Sequence, residues 1–234
     1  MLTKLVLIMS LLALLLVGCT SAALSPTPGS ILTNTPPLEF TSPTQVTLPT
    51  TVSNQSQGVN GVVTSPISDQ QAVMDMAFAA IRALQENDML TLSKFVHPQL
   101  GLRFSPYSYV KDTDQVFTAE SVAGLMEDGT IYLWGNYDGS GEPINLTFAD
   151  YYAKFVYDVD FANPAEMSLN HRLGSGNSLD NAQEFYPGAM IVEFHFPGFD
   201  PQYGGMDWRS LRLVFMQSDQ TWYLAGIIHD QWTI

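Results

Sequence analysis

Apolar positions recur every three or four residues through Val73, Ala77, Ile81 and Leu84, a spacing that predicts a helix with one buried face. Ser68 stands just ahead of it with Gln71 three residues on, the spacing of a capping box, so the folded part should start near Ser68. Asn87-Asp88 ends this helix. A second, short one runs from Met89 to about Val96 and stops at His97-Pro98. Thr118 caps a third helix carrying Val122, Leu125 and Met126, and Thr147 with Asp150 caps a fourth, Phe148 to Lys154.

Beyond Lys154 the pattern turns from helical to alternating. Phe155, Tyr157, Val159 and Phe161 alternate with Val156, Asp158 and Asp160, which predicts a strand. Met190, Val192, Phe194 and Phe196 alternate with Ile191, Glu193 and His195; Leu211, Leu213 and Phe215 are spaced alike, and Trp222 to Gln231 follows Ser218-Asp219-Gln220-Thr221. Thr130 to Trp134 is a further strand, closed by the turn signal Asp138-Gly139-Ser140-Gly141. Phe196-Pro197-Gly198-Phe199-Asp200-Pro201 reads as an ordered, tight loop whose Asp200 caps or binds. Helices first and an antiparallel sheet afterwards define an α+β domain.

The first 66 residues read differently. After Lys4 an apolar run extends from Leu5 to Val17, broken only by Ser10, and is short for a stable spanning helix. It leads into Leu16-Val17-Gly18-Cys19, which resembles a bacterial lipobox, and Cys19 is the only cysteine in the chain. That resemblance implies cleavage after residue 18 and lipid on the Cys19 thiol, hence a partner membrane and an extracytoplasmic, lipid-anchored domain. From residue 19 to 66 the chain is rich in Ser, Thr, Pro, Asn, Gln and Gly, with Glu39 as its only charge. Such a segment buries too little to offset its ordering entropy and reads as a disordered tether with a reach of about 35–40 Å. The folded domain is then 67–234.

The segment Ala79-Ala80-Ile81-Arg82-Ala83-Leu84-Gln85-Glu86-Asn87-Asp88, followed by Leu92, Phe95, Val96, His97 and Pro98, resembles the opening of the NTF2-like superfamily. Trp222 to Asp230, paired to 210–217, looks like its last strand. The resemblance covers about 68–234 and implies N-terminal helices packed on a strongly curved antiparallel sheet, a cone with a pocket. It does not imply one activity, because such folds carry hydrolases, isomerases, binding modules and scaffolds alike. One departure is the segment 162–188, longer than a hairpin needs, which would cover or reshape the mouth of the cone.

The formal net charge of −14 argues against nucleic acid as a partner, since phosphates attract basic surfaces, and one cysteine excludes an internal disulfide and a Cys-based zinc site. No Gly-rich phosphate loop, nucleophile elbow or zinc-protease helix is present, and no cofactor or metal is expected. Asp158 and Asp160 would share the solvated face of a strand; Glu193 and His195 likewise share a face, turned to solvent or lying under a covering segment. An even-length turn at Asp219-Gln220 sets Phe215 opposite Leu224, Leu213 opposite Gly226, Leu211 opposite Ile228 and Arg209 opposite Asp230; an odd turn would set Arg209 opposite His229. An Arg209–Asp230 pair ending the face that lines the cone would either orient a polar ligand or finish a core. Tyr107, Tyr109, Trp134, Tyr137 and Trp208 would crowd the mouth.

Three readings follow. The first is a tethered binding or interaction module with Trp134, Tyr107, Arg209 and Asp230 about a small or wall-derived ligand. The second is a hydrolase- or isomerase-like enzyme using Asp230, His229 and Arg209. The third is a non-catalytic scaffold that forms a homodimer through its sheet.

Overall fold

The computed structural model describes residues 68–233. Cys19, the lipobox and the tether lie outside the described residues. Helix α1, Asp69–Gln85, opens the fold; Ser68 Oγ accepts the Gln71 N–H, while the Gln71 side chain turns to Asp75 rather than back to the cap. Its face of Val73, Ala77, Ala80, Ile81 and Leu84 is buried. Helix α2, Met89–Ser93, is shorter than the spacing predicts, because Phe95 and His97 leave it to bond the backbone of Leu224. Strands β1, Leu102–Ser105, and β2, Gln115–Phe117, follow; the sequence pattern had not marked either. Helix α3, Ala119–Ala123, is capped by Thr118.

Strands β3, Tyr132–Asn136, and β4, Pro143–Leu146, form a separate hairpin around the turn at 138–141. β3 begins two residues later than predicted because the Asp128 carboxylate holds the Thr130 N–H and the Tyr132 hydroxyl in a turn. Helix α4 spans Phe148–Phe155, capped by Thr147. The strand predicted over 155–161 is absent. Phe155 belongs to the helix, burying with Tyr151 and Tyr152 at helical spacing. Side-chain bonds then fix an irregular segment in which Asp160 takes the Tyr157 hydroxyl, Asn163 and Gln85. Asp158 and Asp160 therefore share no strand face.

The main sheet runs in the order β2-β1-β8-β7-β6-β5, with β5 at Glu166–Leu169, β6 at Met190–Phe196, β7 at Arg209–Ser218 and β8 at Thr221–Gln231. A one-turn helix α5, Ala182–Phe185, precedes β6. The fold is α+β, with helices on a curved sheet as the resemblance implied. The sheet is antiparallel except where β1 lies parallel to β8. One face, built from Val192, Phe194, Leu211, Leu213, Phe215, Leu224 and Ile227, packs on the helices. The opposite face is buried as well, under Tyr186 and its neighbours.

The β7–β8 turn is the two-residue turn expected, with positive φ at both Asp219 and Gln220 and Phe215 opposite Leu224. A bulge between Val214 and Phe215 then shifts the register by one residue. Beyond it Leu211 faces His229, Ser210 faces Asp230 and Arg209 faces Gln231. The expected Arg209–Asp230 pair does not form. Because β8 is buried on both faces from Leu224 to Asp230, no alternation of apolar and polar residues fixed its register.

Candidate functional site

The bulge sorts the predicted site residues onto two faces. Arg209 and His229 lie on the helix-bearing face, where both reach Asp158: Arg209 Nε donates to Asp158 Oδ2 at 3.1 Å, and His229 Nε2 stands 3.2 Å from Asp158 Oδ1. His229 is fully buried against the edge of the Phe155 ring, and its Nδ1 has no partner. Burial raises the Asp158 pKa less than His229 and Arg209 lower it, so this carboxylate ionises more readily than usual. Asp158 therefore fills the place foreseen for Asp230, from a segment that the alternating pattern had assigned to a strand.

Asp230 lies on the opposite face and pairs with Arg172 at 2.8 Å. Arg172 belongs to a strap, residues 170–181, that crosses this face. Beneath the strap the Glu193 carboxylate accepts the Leu173 and Gly174 N–H groups at 3.0 and 2.9 Å and the Ser210 hydroxyl at 2.6 Å. His195 Nδ1 lies 2.7 Å from the same hydroxyl, and Arg212 donates to Asp180 of the strap at 2.8 Å. Of the two settings expected for Glu193 and His195, the covered one is found. Trp208, expected at the mouth, packs against His195 under the strap. Gly174 allows this contact, since a methyl there would lie 2.5 Å from the Trp208 ring. No sequence signal marked Arg172, Ser210 or Arg212.

Aromatic packing fills the interior of the helix-bearing face. Phe104 meets Phe117, Trp134, Phe148 and Tyr151 edge-on, and Trp134 stacks on Tyr151 with centroids 3.8 Å apart. The Trp134 indole donates to the Leu146 carbonyl, so this ring is a wall and not a free anchor. The open space lies at the end of the sheet. A groove of about 610 Å³ is lined by Tyr107, Tyr109, Trp134 and Tyr137 together with Lys111, Asp114, Asn136 and Asp138. Tyr107, Tyr137 and Asp138 also border an adjoining hollow of about 520 Å³ that reaches Asp158 and Arg209. Trp134 and Tyr107 of the four residues expected to hold a ligand thus border the groove, Arg209 borders the adjoining hollow, and Asp230 borders neither.

Several elements shape the groove. The Tyr107 hydroxyl accepts the Asp138 N–H at 3.1 Å and ties the segment after β1 to the β3–β4 turn. Ser108 donates to the Leu179 carbonyl, and Asn181 binds both backbone groups of Val110, so the far end of the strap is fastened to the groove wall. Asp114 is nearly buried, with Oδ2 taking the Ser105 hydroxyl at 2.6 Å and the Lys111 N–H at 2.9 Å. Burial pushes its carboxyl up, against Lys111 and Arg103 nearby. Among the described residues no group of three or more His, Cys, Asp or Glu is placed to hold a metal ion.

Comparison with known proteins adds a likeness of fold. No family model and no curated protein matches the chain. Among solved structures it is similar to an NTF2-like protein from Cytophaga hutchinsonii, 11% identical, covering 70% of this chain and 99% of that one at a TM-score of 0.34. It is also similar to a protein from Xanthomonas campestris described as a calcium/calmodulin dependent protein kinase II association domain, 10% identical, covering 70% and 89% of the two chains at a TM-score of 0.31. Likenesses at these TM-scores carry no argument about the site, which rests on its own geometry.

Proposed function

We propose that the protein is a membrane-tethered, extracytoplasmic binding module that takes a small ligand in the aromatic groove at the end of its sheet. The observation that supports this reading is the groove itself. Its volume is of the order usual for small-molecule sites, and its walls combine apolar rings with a few polar groups. Behind it the interior is packed, so a ligand would rest at the mouth. The tether is part of the same proposal and rests on the lipobox ending at Cys19. A catalytic reading is less well supported, because Asp230 is separated by the sheet from His229 and Arg209.

The binding reading is tested by thermal unfolding of the full chain against a panel of saccharides, amines and carboxylates. Tyr109→Ala and Asn136→Ala serve as comparisons, since both side chains border the groove without filling the core. A compound that stabilises the parent and not these variants supports the reading. Absence of any shift, or equal shifts in all three proteins, overturns it. For the tether, incorporation of labelled fatty acid in a bacterial host should be lost in Cys19→Ala; retained label refutes the anchor.

A further inference from the structure

We propose that the ligand of this groove is an organic cation, a primary or quaternary alkylammonium, with Asp114 as its counter-charge. The inference rests on the binding reading above and goes beyond it by naming the ligand class.

Which polar atoms of the groove are already used carries the argument. The Asn136 amide N–H is given to the Gly141 carbonyl, and the Ser108 hydroxyl to the Leu179 carbonyl. The Tyr107 oxygen takes the Asp138 N–H. Asp114 Oδ2 is held by Ser105 and Lys111, while Oδ1 has no hydrogen-bond partner among the described residues. The walls still offer accepting oxygen from Asp114, Asp138 and Asn136, the O–H groups of Tyr107, Tyr109 and Tyr137, and the tyrosine π faces. A saccharide can use these donors and acceptors but brings no charge to set against the carboxylate of Asp114, whose Oδ1 is left without a partner among the described residues. An anion needs donors, and Lys111 is the one cation among the described residues that line this groove. A cation needs accepting oxygen and π faces.

Two further observations agree. All the charged residues except Lys4 and Glu39 lie in 68–234, so the folded part carries the whole formal charge of −14 and draws cations toward its clefts. The molecule also shows the contact in miniature: Lys154 Nζ sits 4.4 Å from the centroid of the Tyr137 ring, an ammonium already resting on a wall ring of the groove. Asp114 is a buried carboxylate whose second oxygen a bound ammonium would complete.

The test is calorimetric titration of the full chain near neutral pH with choline and with its uncharged carbon isostere 3,3-dimethyl-1-butanol. The two have the same shape and differ in charge. Choline should bind at least about tenfold more tightly, and Asp114→Asn should reduce that preference to within about threefold. Because Asp114 also shapes its own turn, Tyr109→Leu gives a second measure that leaves the fold in place. Loss of the π face with retained apolar volume should weaken choline about fivefold and leave the isostere nearly unchanged. Equal binding of the two probes, or a preference that survives both substitutions, overturns the cation inference while the groove remains a site. If neither probe binds but a neutral saccharide does, the ligand class is wrong. If nothing in the panel binds, the binding reading falls with it.

Discussion

Replacing Asp230 by Asn removes one negative charge from beneath the strap while keeping the size of the side chain and an accepting oxygen. Burial, above all, pushes the Asp230 carboxyl up to about 6 from an ordinary 3.8; Glu193 adds to the rise, and Arg172 and Arg212 oppose it. The folded state therefore holds this proton more tightly than the unfolded chain does. Above pH 6 the ionised form weighs against the folded state, and that weight is lifted as the pH falls through 6 toward 4. A separation of roughly two pK units corresponds to about 3 kcal/mol. Asn imitates the protonated form. At neutral pH the variant should therefore be more stable than the parent by up to about 3 kcal/mol, and near pH 4 the two should be alike. The opposite expectation has comparable size, since removing one partner of a buried ion pair commonly costs about 3–5 kcal/mol. Urea unfolding followed by tryptophan fluorescence across this pH range separates the two, because titrations elsewhere in the molecule cancel in the difference between parent and variant. A variant less stable than the parent at neutral pH would refute the reasoning and make the Arg172 pair, rather than desolvation, the governing effect.

Gly174→Ala sets a methyl group 2.5 Å from a Trp208 ring carbon, so the strap must lift. A loss of about 2 kcal/mol is expected, read as a lower urea midpoint. Gln220→Gly should stabilise by about 1 kcal/mol, because position 220 sits at a φ of 66° that costs a side-chain-bearing residue and not glycine. Thermal unfolding should register this as a rise of a few degrees. Phe104→Ala removes the ring that meets Phe117, Trp134, Phe148 and Tyr151; it should cost about 3–5 kcal/mol in chemical unfolding, and a loss below about 1 kcal/mol would contradict the packing described.

What the sequence made legible was whatever alternates or is capped. The caps Ser68, Thr118 and Thr147, the strand Met190–Phe196 and the turn Asp219-Gln220 each announce themselves within a few residues, because each is a local interaction. β1 and β2 are four and three residues long and owe their existence to pairing with β8 and with each other, which no local window contains. The alternation over 155–161 was genuine but had another cause: a helix end followed by a turn also spaces buried rings. At the site, the crowding of Tyr107, Tyr109 and Tyr137 was foreseen, whereas the pairing of Arg209 was not. Its partner depends on a register shift that begins at Val214, and on a β8 buried on both faces, where the apolar pattern is silent about which side a residue takes. The network of Arg172, Glu193, Ser210 and Arg212 was illegible for a related reason. It joins a strap to a sheet across intervals of about twenty residues or more, and its members have no common spacing.

The bulge at the Val214–Phe215 level has a consequence for how such a chain can change. A single additional residue in β8 decides which of two neighbouring side chains meets the aromatic interior and which meets the strap. Loss of Ala225 would straighten the strand and leave His229 opposite Leu211 and Asp230 opposite Ser210. Were Ala225 instead drawn into the ladder rather than bulging out, His229 and Asp230 would exchange faces, sending a carboxylate toward Phe155 and an imidazole toward Arg172. Two chemical environments on opposite sides of the protein would thus be rewritten together, by one event far from either. A substitution at either residue alters a single face, while a slip of the ladder at the bulge alters both at once.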